Sequence, residues 1–455
     1  MSEDARFVVI GGGISGLCTG FYLAQQYGRD QVLVLEAGAV PGGTARTEVT
    51  EGFHCEWGPN GFLDREPLTL QWVEDLGLKD QLVVSSEAAA HRFILKGNRL
   101  VEIKPPPAFL FSPILSLAGK ARLLCEPFIK PVKDDSPESI WHFAARRIGK
   151  EAADNMVQAM VSGIFAGDAK QLSLQHCFPR MAQMEREHGS LFKALKARKK
   201  GSTAAMGPGG TLTSFNDGIA TLPKAAAMAL GDRLRLNTPV AALSREGDRF
   251  LVEGANGERF NAEFVVMAAP AYRAATILQP LDNKLDSVLN GIAYADIAVV
   301  CCGYKRARIG RDLNGFGFLV PRTQNRRVLG SLWSSSIFPN RAPEGYALFR
   351  NMYGGYTDPE AAHLSDDELV KLVQQEVHPL LRIAGPPDFV RIFRHRPGIP
   401  QYLLGHDTRI SAIEASEERH RGLVFAGNAY RGVGINDCVV SAHRAVERIE
   451  ALVAN

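Results

Sequence analysis

The chain has 455 residues, enough for two or three domains of about 150 residues each, with 45% hydrophobic and 22% charged side chains. Those proportions exclude a disordered, collagenous or coiled-coil chain. A formal net charge of +3 is too small to mark a nucleic-acid binder, so any preference for anions has to be local.

Phe7-Val8-Val9-Ile10 is a short apolar run that meets Gly11-Gly12-Gly13-Ile14-Ser15-Gly16, and a helical pattern continues to about Gln25. Val32-Leu33-Val34-Leu35 follows and ends at Glu36. Continuous apolar runs on either side of a helix predict a βαβ unit with buried parallel strands. Gly11, Gly13 and Gly16 fill the G-x-G-x-x-G fingerprint: the first allows the tight turn, the second lets a pyrophosphate approach the backbone, the third lets helix and strand pack closely. The phosphates then sit on the helix N-terminus, and Glu36 stands where an acid accepts hydrogen bonds from an adenosine ribose.

The fingerprint alone does not choose between nicotinamide and flavin. Pro41-Gly42-Gly43-Thr44-Ala45-Arg46 and Gly58-Pro59-Asn60-Gly61 let the main chain run close to a flat ligand, and Arg46 could meet a phosphate; the plain alternative is a pair of surface turns. Residues 105–132 interleave apolar and basic residues, a pattern that seats a chain in an anionic interface or roofs an apolar pocket. Ser136-Pro137-Glu138 predicts a helix start, with Ile140, Phe143, Ala144 and Ile148 as its core stripe. The basic run from Lys196 to Lys200 reads as a solvated face before an anion site. Arg235-Leu236-Asn237 leading to Val240, and Phe264 to Pro270, are strand-like. Ser365-Asp366-Asp367-Glu368 is a capping box before Leu369, Leu372, Val373 and Val377. His395, between Arg394 and Arg396, reads as surface.

Near the C-terminus, Leu423 to Asn428 is a strand entering a loop, and Gly432-Val433-Gly434-Ile435-Asn436-Asp437 opens a helix through Arg448. This offers a second helix N-terminus to an electron-rich ligand edge, and two distant ends closing on one cofactor is a flavoprotein arrangement. Seven cysteines without a C-x-x-C spacing point to reduced thiols, and eleven histidines without ligand spacing predict no metal. Met1-Ser2-Glu3-Asp4 is acidic where a secretory signal is positive, and no stretch reaches the roughly 18 apolar residues of a spanning helix. A cytoplasmic location is expected, with contact at a membrane surface left open.

The two ends of the chain resemble the glutathione-reductase-like flavoproteins of the amine oxidase type. The middle resembles the oxygen-dependent protoporphyrinogen oxidase family, through Val161 to Asp168 with Leu172-Ser173-Leu174, Phe178-Pro179-Arg180, Glu187-His188-Gly189-Ser190, Gly315-Phe316-Gly317, Leu332 to Ser336 with Phe338 to Pro343, and Ile399-Pro400-Gln401-Tyr402. The resemblance implies an α/β and α+β protein: a discontinuous Rossmann-like FAD-binding domain (1–82, 214–272, 418–455), a mixed-sheet substrate-binding domain (83–92, 181–213, 273–417), and an inserted helical domain (93–180) that touches membranes. It implies non-covalent FAD held at Gly11, Gly13, Ile14, Ser15, Gly16, Glu36, Ala37, Gly42, Gly43, Thr44, Arg46, Gly58, Pro59, Asn60, Val240 (through its backbone, to adenine), Ala269, Trp333, Gly427, Asn428, Val433, Gly434 and Ile435. Asn428 replaces the acid that the broader flavoprotein pattern carries, which leaves that contact open.

The activity implied is six-electron oxidation of a porphyrinogen to the porphyrin, with oxygen reduced to hydrogen peroxide. Arg92 is expected to meet a propionate, Phe316 to pack on a pyrrole ring, and Gly163 to bring the main chain against the macrocycle. Otherwise Arg92 is a surface arginine flanking a strand and Phe316 a core phenylalanine. Trp57 to Gly61 and Ser334 to Pro343 look closer to the plant-like protoporphyrinogen enzymes than to the coproporphyrinogen III branch, so protoporphyrinogen IX is the expected substrate. A coproporphyrinogen III oxidase, another flavin amine oxidase and a non-catalytic porphyrin carrier stay open. No residue constellation identifies a general base. The resemblance also suggests a homodimer.

Overall fold

The computed structural model describes residues 2–105, 108–132, 136–197 and 210–454. The first apolar run becomes the strand Ser2–Ile10, at the centre of a seven-stranded sheet. Parallel neighbours are Val32–Leu35 on one side and Arg259–Met267 on the other, with Phe7, Val8, Val9 and Ile10 in register with Phe264, Val265, Val266 and Met267. Leu234–Arg235 extends the parallel set beyond Val32–Leu35, and Leu423–Phe425 joins the far edge of Arg259–Met267. The antiparallel strands Arg249–Gly254 and Val240–Glu246 complete the sheet.

Unbroken apolar strands are explained by helices on both faces. Phe7, Val9, Val32 and Val34 pack under the helices Ile14–Tyr27 and Ile435–Val453, against Leu17, Leu23, Val439 and Val446. Val8, Ile10, Leu33 and Leu35 pack on the other face against Ala274, Leu278, Leu289 and Ile410. The helices Leu285–Asn290 and His406–Arg419 therefore belong to this core, although 273–417 was expected in the second domain.

The second seven-stranded sheet runs Phe389–Pro400, Tyr294–Lys305, Tyr346–Gly354, Val328–Trp333, Gly317–Leu319, Arg92–Lys96, Arg99–Glu102. Its outer face carries the helix Asp366–Glu376, capped by Ser365 and Glu368 as the sequence predicts, with Leu369, Val373 and Val377 buried. Its inner face meets the hairpin Thr47–Thr50 and Phe53–Glu56 of the first domain, where Phe53 stacks on Phe389 at 4.3 Å. Residues 93–102, expected in the helical domain, thus complete this sheet.

The helical segment also differs from expectation at two points. Its helix Ile140–Ile148 is capped by Ser139, whose side chain accepts from His142 N–H, because Glu138 is drawn instead to Arg146. Residues 181–197, expected in the substrate domain, form helices that pack here: Glu185 pairs with Arg146 and Arg147, and Arg147, itself wholly buried, also pairs with wholly buried Glu126. Removing one partner of such a buried pair costs about 3–5 kcal/mol, so this knot fastens 126 to 185 firmly. In 105–132, Phe109, Ile114 and Leu115 are buried, whereas Phe111, Leu117, Leu124 and Phe128 are 87%, 83%, 52% and 85% exposed. Most of the basic run after Lys196 lies outside the described residues.

Candidate active site

The glycine fingerprint builds a turn whose three glycines answer to different constraints. Gly11 sits at φ +114°, and a Cβ there would lie 2.8 Å from the Ala268 carbonyl oxygen, beside Ala269. A Cβ on Gly16 would lie 1.8 Å from the Gly11 carbonyl oxygen, so helix and turn touch directly. Gly13 differs: it is the N-cap of Ile14–Tyr27 at φ −75°, and a Cβ there would meet no protein atom within 4 Å. Protein packing does not require glycine at 13, which is what a ligand cradle predicts.

Further segments converge on this turn. Gly42 N–H donates to the Gly12 carbonyl at 2.8 Å, laying Gly42-Gly43 beside Gly13. The Glu36 carboxylate is held by Gly12 N–H at 2.6 Å and Gly38 N–H at 2.7 Å, so its position is set in advance next to Ala37. Thr238 N–H donates to the Glu36 carbonyl, which brings the start of Val240–Glu246 to the same end of the sheet. Thr44 lies against Gly58, and the Arg46 guanidinium stacks over Trp57 at 5.2 Å, donates to the Val40 carbonyl and keeps a buried Nε without a partner. Ser15 and Ile435 are nearly buried, and the Ser15 hydroxyl is committed to the Cys438 carbonyl, tying the two helix N-termini together. At the C-terminal loop Gly427 takes φ +124°, and Gly434 caps Ile435–Val453 with its N–H held by Asp437. Val433 packs against the helical segment. Asn428 makes no side-chain hydrogen bond to protein among the described residues, and its carbonyl accepts from Tyr402.

The second sheet contributes residues the sequence reading missed. Arg350, nearly buried, donates to the Gly58 carbonyl at 2.7 Å and to the Asn60 side chain, which fixes the segment around Pro59. Its signal was an arginine within the apolar strand Tyr346–Gly354. His395 is not a surface residue. Its Nε2 lies 2.9 Å from the Trp57 carbonyl, and burial lowers its pKa from the ordinary value. Trp333 differs from expectation: it is wholly buried in the sheet's outer core beside Phe93, on the face opposite Arg350 and Arg92.

Of the expected substrate residues, Arg92 and Phe316 come together. The Arg92 guanidinium lies 5.1 Å over the Phe316 ring and has no carboxylate partner among the described residues. Gly163 sits in the helix Gln158–Phe165, where a Cβ would lie 2.6 Å from a terminal methyl of Leu319, so the helix packs closely on the strand Gly317–Leu319 at this point. Arg350, Leu332, Gly317 and Arg92 are directly paired in register across four strands. Paired residues project from the same face, so Arg92 shares the face that grips Gly58 and Asn60. At about 4.8 Å per strand, the two arginines stand about 14 Å apart.

A helix N-terminus with a side-chain-free Gly13, a preset Glu36 carboxylate, an unpartnered Arg46 Nε and a second helix N-terminus at Gly434 fit a flavin dinucleotide. This is the architecture of an FAD-dependent oxidoreductase. The profile of the flavin containing amine oxidoreductase family matches residues 14–450. The chain is 33% identical to protoporphyrinogen oxidase, chloroplastic, of Oryza sativa subsp. japonica, over 98% of this chain and 88% of that one. It is 30% identical to coproporphyrinogen III oxidase of Bacillus subtilis (strain 168), over 98% of both. A crystal structure from Exiguobacterium sp. 255-15, provisionally named protoporphyrinogen oxidase, superposes with a TM-score of 0.84 at 25% identity, covering 99% of this chain and 100% of that chain. The chain belongs to the flavin containing amine oxidoreductases and, within them, to the family of protoporphyrinogen and coproporphyrinogen III oxidases.

Proposed function

We propose that this FAD-dependent enzyme oxidises protoporphyrinogen IX to protoporphyrin IX, removing six electrons in two-electron steps with oxygen as the final acceptor and hydrogen peroxide as its product. The observation that carries the reading is Arg92: a guanidinium without a carboxylate, stacked on Phe316, on the sheet face that holds the cofactor segment. Bound FAD supplies the electron acceptor. The chain's own residues orient the macrocycle: Arg92 meets a propionate, Phe316 offers an apolar ring face, and Leu319 an apolar wall.

Substrate choice turns on how many carboxylate arms the site has to pair. Along the register row Arg350 is engaged by Gly58 and Asn60, which leaves Arg92 for a carboxylate arm. Coproporphyrinogen III replaces two vinyls of protoporphyrinogen by two propionates, and an ionised carboxylate buried without a partner costs several kcal/mol. The enzyme is therefore expected to show a higher kcat/KM for protoporphyrinogen IX. Porphyrin fluorescence followed with both substrates at matched detergent tests this, and equal or reversed efficiencies assign the chain to the coproporphyrinogen branch.

The exposed Phe111, Leu117, Leu124 and Phe128, with Lys120 and Lys130 beside them, support seating on an anionic membrane surface from which an apolar substrate is taken. No helix of the described residues is long and apolar enough to cross a membrane. Homodimer formation rests on family likeness, and light scattering on the purified enzyme checks it.

A further inference from the structure

The loop between Leu423–Phe425 and Ile435–Val453 is braced from behind by two side chains outside the flavin cradle. Tyr402 is wholly buried and its hydroxyl donates to the Asn428 carbonyl. His406, also wholly buried, lies with its ring 4.7 Å from that of Tyr402 and its Nε2 3.0 Å from the Tyr430 carbonyl. A carbonyl can only accept, so Nε2 carries the proton. Nδ1 is buried without a partner, and burial pushes the pKa of His406 down to about 4, which keeps the ring neutral. His176, from the helical segment, meets the ring edge-on at 4.9 Å. Asp407, Arg409 and Arg431 are the charged groups that face this histidine pair.

A trans peptide is planar, with its C=O and N–H pointing in opposite directions. Holding the Asn428 carbonyl on Tyr402 therefore turns the Ala429 N–H away from Tyr402, and holding the Tyr430 carbonyl on His406 does the same for the Arg431 N–H. Ala429 is nearly buried, and its N–H donates to no protein group among the described residues. A buried orphan donor costs free energy unless a ligand satisfies it.

We propose that Tyr402 and His406 are positioning residues: they fix the direction of the N–H groups that the loop 427–434 offers to bound flavin. The inference rests on the FAD site described above. The consequence is a pair of side chains that tune how flavin is held without touching it.

The test uses full-length apoprotein of the wild type and of Tyr402→Phe, His406→Phe and His406→Gln, titrated with FAD and followed by flavin fluorescence and visible absorption. The potential is read by equilibration with a reference dye. Tyr402→Phe and His406→Phe are each expected to weaken FAD binding roughly tenfold, as for one unmade hydrogen bond at a buried carbonyl, and to shift the flavin absorption band and potential. His406→Gln keeps a donor and should restore most of both. Wild-type FAD affinity with an unshifted band in Tyr402→Phe, accompanied only by a lower Tm, would reduce the pair to ordinary core packing. Should Tyr402→Phe fail to fold, equal FAD affinity in His406→Phe and His406→Gln overturns the proposal by itself. A wild-type protein that takes up no FAD overturns the cofactor site, a result distinct from either.

Discussion

Replacing Gly13 with valine separates what the fold needs from what the cofactor needs. The backbone at 13 is extended at φ −75° and a side chain there would meet no protein atom, so the fold loses only a favourable N-cap, about 1 kcal/mol. The cofactor loses far more. Valine methyls would stand where a pyrophosphate approaches the N–H groups of the helix start, and losing two charge-assisted hydrogen bonds of about 1.5–3 kcal/mol each weakens binding roughly a hundred- to ten-thousand-fold. Gly13→Val should therefore purify as a folded, colourless protein. Its Tm should approach that of wild-type apoprotein and respond little to added FAD, whereas the wild type gains about 2.7 kcal/mol at a hundred times Kd. Gly16→Ala is the contrast, since its Cβ would lie 1.8 Å from the Gly11 carbonyl oxygen, and no folded protein is expected. Circular dichroism melts with and without FAD, alongside a fluorescence titration, read both. A Gly13→Val protein that keeps full flavin at wild-type Kd, or that unfolds like Gly16→Ala, refutes the reasoning.

Arg92→Ala should raise KM roughly ten- to a hundred-fold while kcat changes little, because a propionate contact is shared by ground and transition states; steady-state kinetics with an unchanged KM would make Arg92 a surface charge. Leu117→Asp with Phe128→Asp should abolish sedimentation with anionic vesicles yet leave turnover of detergent-solubilised substrate intact, and undiminished sedimentation counts against the membrane face. Burial pushes His378 down to about 4, so between pH ~6.5 and 4 the unfolded chain binds a proton that the native one does not, and stability falls as pH falls; His378→Gln should flatten the profile by up to ~1.4 kcal/mol per pH unit. Burial pushes Glu56 up to about 7, which has the opposite sign: its contribution is lost as pH rises from about 4.5 to 7, so Glu56→Gln should steepen the acid limb. Urea melts across pH 4.5–7.5 that leave both variants parallel to wild type would contradict both assignments.

The glycine turn was legible because its determinants are local: three glycines and one acid within a single βαβ unit specify the turn, the helix start and the place of the Glu36 carboxylate. Contacts between distant segments were not. Arg350 reaches Asn60 across 290 residues of sequence, and nothing near either residue announces the partner. His395 was misread because its neighbours are charged, yet alternation along a strand sends them to the opposite face. Arg394 turns to Asp366 and Arg396 to the Ala362 carbonyl, while His395 turns to Trp57. The helix cap was misplaced by three residues because Ser136-Pro137 carries the stronger local pattern, whereas the actual start at Ser139 is set by bridging to Ser173 and by Glu138 reaching Arg146. The domain limits slipped where helices from 285–290 and 406–419 close the face of the first sheet, a choice made by tertiary packing alone.

The register row from Arg350 to Arg92 puts the contact to Gly58 and Asn60 and the proposed propionate anchor on one rigid frame. Arg350 fastens the second sheet to Gly58 and Asn60; three strands away, on the same face, stands Arg92, over the Phe316 ring and without a carboxylate partner among the described residues. The separation between them is set by strand spacing, not by loop conformation, so Arg92 and the segment Gly58 to Asn60 are referred to each other through backbone hydrogen bonds. Gly317 is what keeps the row open between them: at φ +131°, a Cβ there would strike the Ser331 carbonyl oxygen at 2.1 Å. A side chain at 317 must therefore part Gly317–Leu319 from Val328–Trp333, displacing Arg92 and its Phe316 platform from Arg350 together. With Arg92 as the proposed propionate anchor, its place on the sheet that grips the first domain means that orientation would be decided when the chain folds, before any substrate arrives.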